Sequence, residues 1–231
     1  MILRQKRVWI PAVATVLVVG GVLLANQLVR SSAESKIAKT VACGLKSSGP
    51  TTAHLTDPLA GLGVFGGDLG TVNVRARQVQ LAGTSVDLTA KIAHVKTGGT
   101  SGAGTASTIV GYPVVQKELG GDMQVRGDGK QLVIDTTFGV AVTVHAALTT
   151  TPQAVTVTPT DISTLGQKLS IPELLRSPLG RGLPKSQLAA RTIELPGMPA
   201  GVSLTSATPA ADGLHLAFAL APTTTAPACP G

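Results

Sequence analysis

Four histidines (His54, His94, His145 and His215) and twelve carboxylates are the residues best suited to acid–base or metal chemistry, but their spacing supports neither. No two histidines stand at His-x-x-x-His spacing, and no Cys/His pair stands at a zinc-ligand spacing, so no metal is expected. His94, His145 and His215 fall in strand-like runs, where half-buried structural roles are expected. The carboxylates are scattered, which argues against paired-acid chemistry. No Gly-x-Ser-x-Gly elbow or other nucleophile motif is present. A hydrolytic triad needs no adjacency in sequence, but nothing marks one. Gly61-Leu62-Gly63-Val64-Phe65-Gly66 has the dinucleotide-fingerprint spacing, and Asp87 falls about where a ribose-binding acid would. That motif must follow a strand and open a helix; here Asp57-Pro58 precedes it and a second glycine and a strand follow. It reads as an apolar loop. No cofactor is expected, and the chain reads as non-catalytic.

The remaining reactive pair is Cys43 and Cys229. Both lie near a terminus of a chain whose start argues for export, and disulfides persist in oxidising exteriors. One Cys43–Cys229 bridge is therefore expected. It would close nearly the whole domain into one loop and constrain the unfolded chain by about 4–5 kcal/mol in the chain-entropy model. It would also fasten the Pro/Thr-rich tail to the first helix.

Residues 8–29 carry no charge and follow Arg4, Lys6 and Arg7. About 20 apolar residues span a bilayer core as a helix, and basic residues before such a run stay cytoplasmic. Two readings remain open, a retained single-pass anchor and a cleaved signal with a site near Ser31-Ser32-Ala33. Either places the rest of the chain outside the cytoplasmic membrane. Arg30, Glu34, Lys36 and Lys39 separate Cys43 from the apolar run, which rules against lipoprotein processing. Of the formal charge of +7, three positives precede that run. With neither a basic cluster nor interleaved aromatics, nucleic acid is not an expected partner.

The organisation follows as 1–29 for the membrane or signal segment, 30–221 for an extracytoplasmic domain, expected as a monomer, and 222–231 for the tail. Apolar residues make up 43% of the chain and aromatics 2%, so the core must be aliphatic. Ser31-x-x-Glu34 has capping-box spacing, and Ile37, Val41 and Leu45 share one helix face with Ala38 and Ala42 beside them. Val72, Val74 and Ala76 alternate with polar residues, then Val79 and Leu81 continue in the opposite phase, as across a β-bulge. Further strands are predicted around Val86–Ile92, Met123–Arg126, Leu132–Thr137, Val140–Leu148, Val155–Val157 and Leu214–Leu220. Gly127-Asp128-Gly129-Lys130 makes a hairpin turn. Residues 97–107 read as a loop, and helices are predicted over Ser107–Leu119 and Ile171–Arg176. The fold class is α+β: a curved, mainly antiparallel sheet packed on or around a few helices, forming an apolar groove.

Three stretches carry more apolar bulk than surface loops need. They are Leu55, Leu59, Leu62, Val64, Phe65 and Leu69; then Val114, Val115 and Leu119; then Leu169, Ile171, Leu174 and Leu175. Small-molecule sites are concave and mostly apolar, and an aliphatic cleft suits acyl chains better than flat rings. From the residues alone two readings stay open. These side chains line a lipid groove, or they cap the sheet as ordinary core in an anchored interaction module without a lipid ligand.

Leu195-Pro196-Gly197-Met198-Pro199-Ala200-Gly201-Val202, followed by Asp212-Gly213-Leu214, resembles the LmeA family of actinobacterial envelope phospholipid-binding proteins. The likeness extends to Arg30-x-x-Ala33-Glu34-x-x-Ile37-Ala38, to the two terminal cysteines and to the strand order around Tyr112, over about residues 30–220. It implies phospholipid binding, a role in envelope glycolipid or lipoglycan assembly, and a curved sheet around a helix similar to the tubular lipid-binding superfamily. It carries no catalytic residues.

Overall fold

The computed structural model describes residues 27–45, 47–57, 60–81, 84–120, 123–137, 140–164, 167–177, 188–196 and 198–224. The apolar run 8–29 falls almost wholly outside them, as does Cys229. Among the described residues no helix is long and apolar enough to cross a membrane.

Alternating side chains and abundant turn residues make strands here, and the strands form two sheets rather than the single one expected. The first sheet has the order β1-β2-β3-β4-β12-β11, built from Thr51–Leu55, Val72–Leu81, Thr84–Ile92, Gly104–Val110, Gly213–Leu220 and Val202–Ala210. The second runs β10-β8-β7-β6-β5, from Arg191–Glu194, Ala154–Thr164, Ala141–Thr151, Leu132–Thr137 and Gln124–Gly127, with β9 (Gln167–Ser170) also on β8. Every pairing is antiparallel. Neither sheet closes on itself.

Register explains why the faces are apolar. Ala53, Val74, Ala90, Ala106, Phe218 and Leu204 stand opposite one another across all six strands of the first sheet, and all are buried. In the second sheet Val125, Ile134, Val144 and Ile162 form the equivalent row. Opposed side chains share a face, so a one-residue slip would turn each row to solvent. The slip read between Ala76 and Val79 is present as a register shift, with Gln78 at φ 54°. Asp128 makes the predicted hairpin turn. Its Oδ1 accepts from the Lys130 and Gln131 amides, and these bonds, Gln131's first, hold its carboxyl below the ordinary value.

Several boundaries differ from the sequence reading, each for a local reason. The predicted helix 107–119 is a strand and a shorter helix, because Gly111 is an extended N-cap and Pro113 sits in the first turn, where proline costs no bond. Thus α3 spans Tyr112–Leu119 and β4 occupies the end of the presumed 97–107 loop. Val155–Val157 is the start of an eleven-residue strand that continues past Pro159 through a register shift. The 54–69 segment is not one loop: it completes β1 and contains α2 (Ala60–Gly66). Val140 is 48% exposed rather than on the buried face of Val142, Val144 and Ala146. His94 is not strand-buried but exposed after β3, at φ 48°. α4 (Ile171–Arg176) matches its predicted bounds, and the capping box belongs to it: Ser170 and Glu173 exchange both bonds.

Ser31 and Glu34 form no such box, since residues 27–44 are one helix, α1, and both lie inside it. Glu34 instead covers the open edge of the first sheet. Its Oε1 accepts the Leu55 amide at 2.9 Å and the Arg30 Nε–H at 3.1 Å, while the Arg30 guanidinium donates to the Leu55 carbonyl. A bare edge offers unpaired backbone groups to other chains; here α1 pairs those of Leu55, with Ala33, Ile37, Ala38 and Val41 packed on the core. Glu34→Ala is expected to open this junction. Losing a charge-assisted bond of about 1.5–3 kcal/mol should speed exchange of the Leu55 amide by about tenfold or more. Unchanged protection of Leu55 by hydrogen-exchange mass spectrometry would refute this.

Candidate functional site

The inner faces of the two sheets do not meet everywhere. α3 lies at their seam, placing Val114, Val115 and Glu118 on one side, and beside them is a cavity of ≈ 180 Å³. The first sheet contributes Val86, Val110, Leu214 and Leu216 to its wall, and the second contributes Leu132, Leu148, Val155, Val157 and Ile193. Leu195 and Pro196 close the rim. Thr84, Glu118 and Glu194 are the polar residues among the described ones that line it.

A second cavity of ≈ 330 Å³ lies further along the same face of the second sheet. Val157 lines both. Moving along β8, Val155 and Val157 face the first space and Pro159 the second; along β7 the pair is Leu148 then Val144, and along β6 Leu132 then Ile134 and Thr136. The two spaces therefore form a gutter parallel to the strands. Leu148 and Val144 are four residues apart, about 13 Å at a strand's rise. Leu119, Gly120, Met123, Leu188 and Ala189 complete the second part, and Arg191 is the one cation among the described residues lining either. Together the two spaces fall within the ~300–1,000 Å³ usual for ligand sites.

Tyr112 fixes where α3 sits. Its hydroxyl lies 2.5 Å from the Ala210 carbonyl and 3.1 Å from that of Gly213, tying the helix start to the β11–β12 hairpin. Burial raises the phenol above its ordinary pKa, so it stays a donor. Gly127 allows the approach: a Cβ there would lie 2.1 Å from the Tyr112 hydroxyl and 2.8 Å from the Ala210 carbonyl oxygen. Tyr112→Phe is expected to cost about 1 kcal/mol and lower the melting midpoint by about 2–4 °C. A calorimetric midpoint matching the parent would show that α3 is held by packing alone.

Of the residues proposed from sequence, Val114 and Val115 line the space between the sheets and Leu119 lines its continuation. Leu55, Val64, Leu69, Leu169, Ile171, Leu174 and Leu175 line neither. Leu55, Leu69 and Leu174 are buried in the core; Val64, Leu169 and Ile171 are half-buried against it; Leu175 is 42% exposed. Leu59 is outside the described residues. Leu62 and Phe65 belong to α2, and nothing is described of their side chains. Most wall residues come instead from strands. Leu195-Pro196, at the rim, belongs to the element that carried the family resemblance.

Among the described residues no group of three His, Cys, Asp or Glu could hold a metal ion. His215, half-buried in β12 as expected, has its Nε2 2.8 Å from Oδ1 of Asp212 on the adjoining turn, holding that carboxyl low, but neither residue lines the gutter. An aliphatic gutter between two open sheets, with few polar groups at its ends, has the character of a site for an extended apolar ligand. The chain belongs to the LmeA-like phospholipid-binding family, whose model matches residues 24–219. No curated protein and no solved structure matches it.

Proposed function

We propose that this chain binds a phospholipid by its acyl chains in the gutter, without catalysing a reaction, and that it does so outside the cytoplasmic membrane. The observation that carries this reading is the apolar space between the sheets and its continuation along β6, β7 and β8. Its walls there are mainly Val, Leu and Ile, which match flexible methylene chains better than rings. Burying a methylene group contributes ~0.8 kcal/mol. Ten of them give about 8 kcal/mol, the free energy of a micromolar Kd before the costs of association. A gutter of this length thus suffices for real affinity.

In this reading residues 8–29 form the anchor or export segment, residues 30–221 the binding domain, and the role is to support lipid or glycolipid assembly in a cell envelope. Export also favours a Cys43–Cys229 bridge. Cys43 lies in the last turn of α1. The start of the tail is pinned to the domain by two backbone hydrogen bonds between Ser101 and Thr223 and by contact of their hydroxyls at 2.6 Å.

The test is native mass spectrometry of the full chain released from detergent micelles, with lipid extraction alongside. A bound mass of phospholipid size that extraction removes is the expected outcome, on a protein two hydrogens lighter than its reduced form. A ligand-free protein that takes up no envelope lipid, yet co-purifies with another protein, would replace this reading with that of an anchored interaction module.

A further inference from the structure

We infer that Arg191 is the headgroup end of the gutter, taking the phosphate of an anionic phospholipid whose chains run from there toward the space between the sheets. This rests on the lipid-binding reading and adds an orientation to it.

Arg191 opens β10 and pairs directly with Val157, so both leave the second sheet on its inner face, as do Ile193 and Val155. A charged side chain on that face is out of keeping with the aliphatic residues around it. Its Nη1 donates to the Leu119 carbonyl at 2.5 Å, fixing the guanidinium at the carboxyl end of α3 with its other N–H groups undirected by that bond. Thr136, on the same face of β6 as Ile134, lines the same space. Of the described residues that line the cavity between the sheets, the charged ones are Glu118 and Glu194, and none is a cation. A phosphate is drawn to Arg191, whereas acyl chains find their driest walls between the sheets. Guanidinium is the side chain that best matches a phosphate's paired oxygens.

A purely structural part for Arg191 is the rival: an inward charge on an edge strand discourages edge pairing, and the bond to Leu119 holds α3. The experiment separates the two. Uptake of dioleoyl phosphatidylglycerol and of dioleoylglycerol, which lacks the phosphate, is measured by native mass spectrometry on the full chain for the parent, Arg191→Gln and Arg191→Lys. The parent is expected to prefer phosphatidylglycerol. Arg191→Gln should lower its uptake about tenfold, the effect of one charge-assisted bond, with dioleoylglycerol unchanged, and Arg191→Lys should restore part of the loss. Excess inorganic phosphate should leave phosphatidylglycerol uptake intact. Equal loss of both lipids in Arg191→Gln, or an unchanged ratio, would overturn the assignment. Displacement by inorganic phosphate without any lipid preference would make this a free-phosphate site instead. Absence of uptake of either lipid by the parent would overturn the lipid-binding reading itself.

Discussion

Val114→Trp is expected to reduce phospholipid uptake at least tenfold while leaving the melting midpoint within a few degrees of the parent. Val114 is half-buried on α3 and faces the space between the sheets, so an indole there fills a void rather than displacing packed neighbours. Were these residues ordinary core, the same substitution would overpack it and cost about 1–3 kcal/mol. The two accounts thus give opposite patterns: binding lost with stability kept, or stability lost. Ile193→Trp approaches the same space from β10 and should behave alike. Uptake measured beside calorimetric midpoints decides the matter, and a destabilised variant that still binds lipid would count against the gutter.

The second large effect is Leu132→Ala. Leu132 is fully buried, at 0% exposure, and stands opposite Gly127 on one strand and Ala146 on the other. Neither neighbour has the bulk to move into the space its side chain would leave. Deletion of a leucine at such a site costs about 2–5 kcal/mol, which for a domain of this size lowers the midpoint by about 5–15 °C. Leu132 also lines the gutter, so its removal widens the site, and lipid uptake should persist below the lowered midpoint. Leu132→Ala and Val114→Trp therefore form a double dissociation. Denaturant unfolding of Leu132→Ala that coincides with the parent curve would mean the cavity collapses on its own.

What could be read from the residues and what could not divides along physical lines. Local signals carried well. The phase change at Ala76–Val79, the Gly127–Lys130 turn and the Ile171–Arg176 helix are each set by neighbours within a few residues, and each is found in place. β4 is hard to read because its buried Ala106 is small and it follows a Gly/Ser/Thr run. Burial between Ala90 and Phe218 makes it a strand, and that context is long-range. The capping-box pattern occurs at both Ser31 and Ser170, and only tertiary structure shows that the first lies mid-helix while its glutamate serves the β1 edge.

The gutter was the least legible part. Its walls come from α3, both sheets and the Leu195-Pro196 turn, brought together from residues 84 to 216. A valine facing a cavity alternates along its strand in the same way as one facing a core. The helix residues Val114 and Val115 could be singled out because they exceed what a short surface helix needs, whereas Val155 and Val157 could not. Arg191 is illegible for the complementary reason. Beside Thr192 and Glu194 it reads as one more surface charge, and only its register with Val157 turns it inward.

The most direct test of the central claim is photo-crosslinking of the full chain to a phosphatidylglycerol bearing a diazirine in its acyl chain, followed by peptide mapping. Crosslinks concentrated on α3, on β8 around Val155–Pro159 and on β10 near Ile193, and abolished by Val114→Trp, are the expected result. Crosslinks confined to residues 54–69 or to α4, or spread evenly over the surface and indifferent to that substitution, would contradict it.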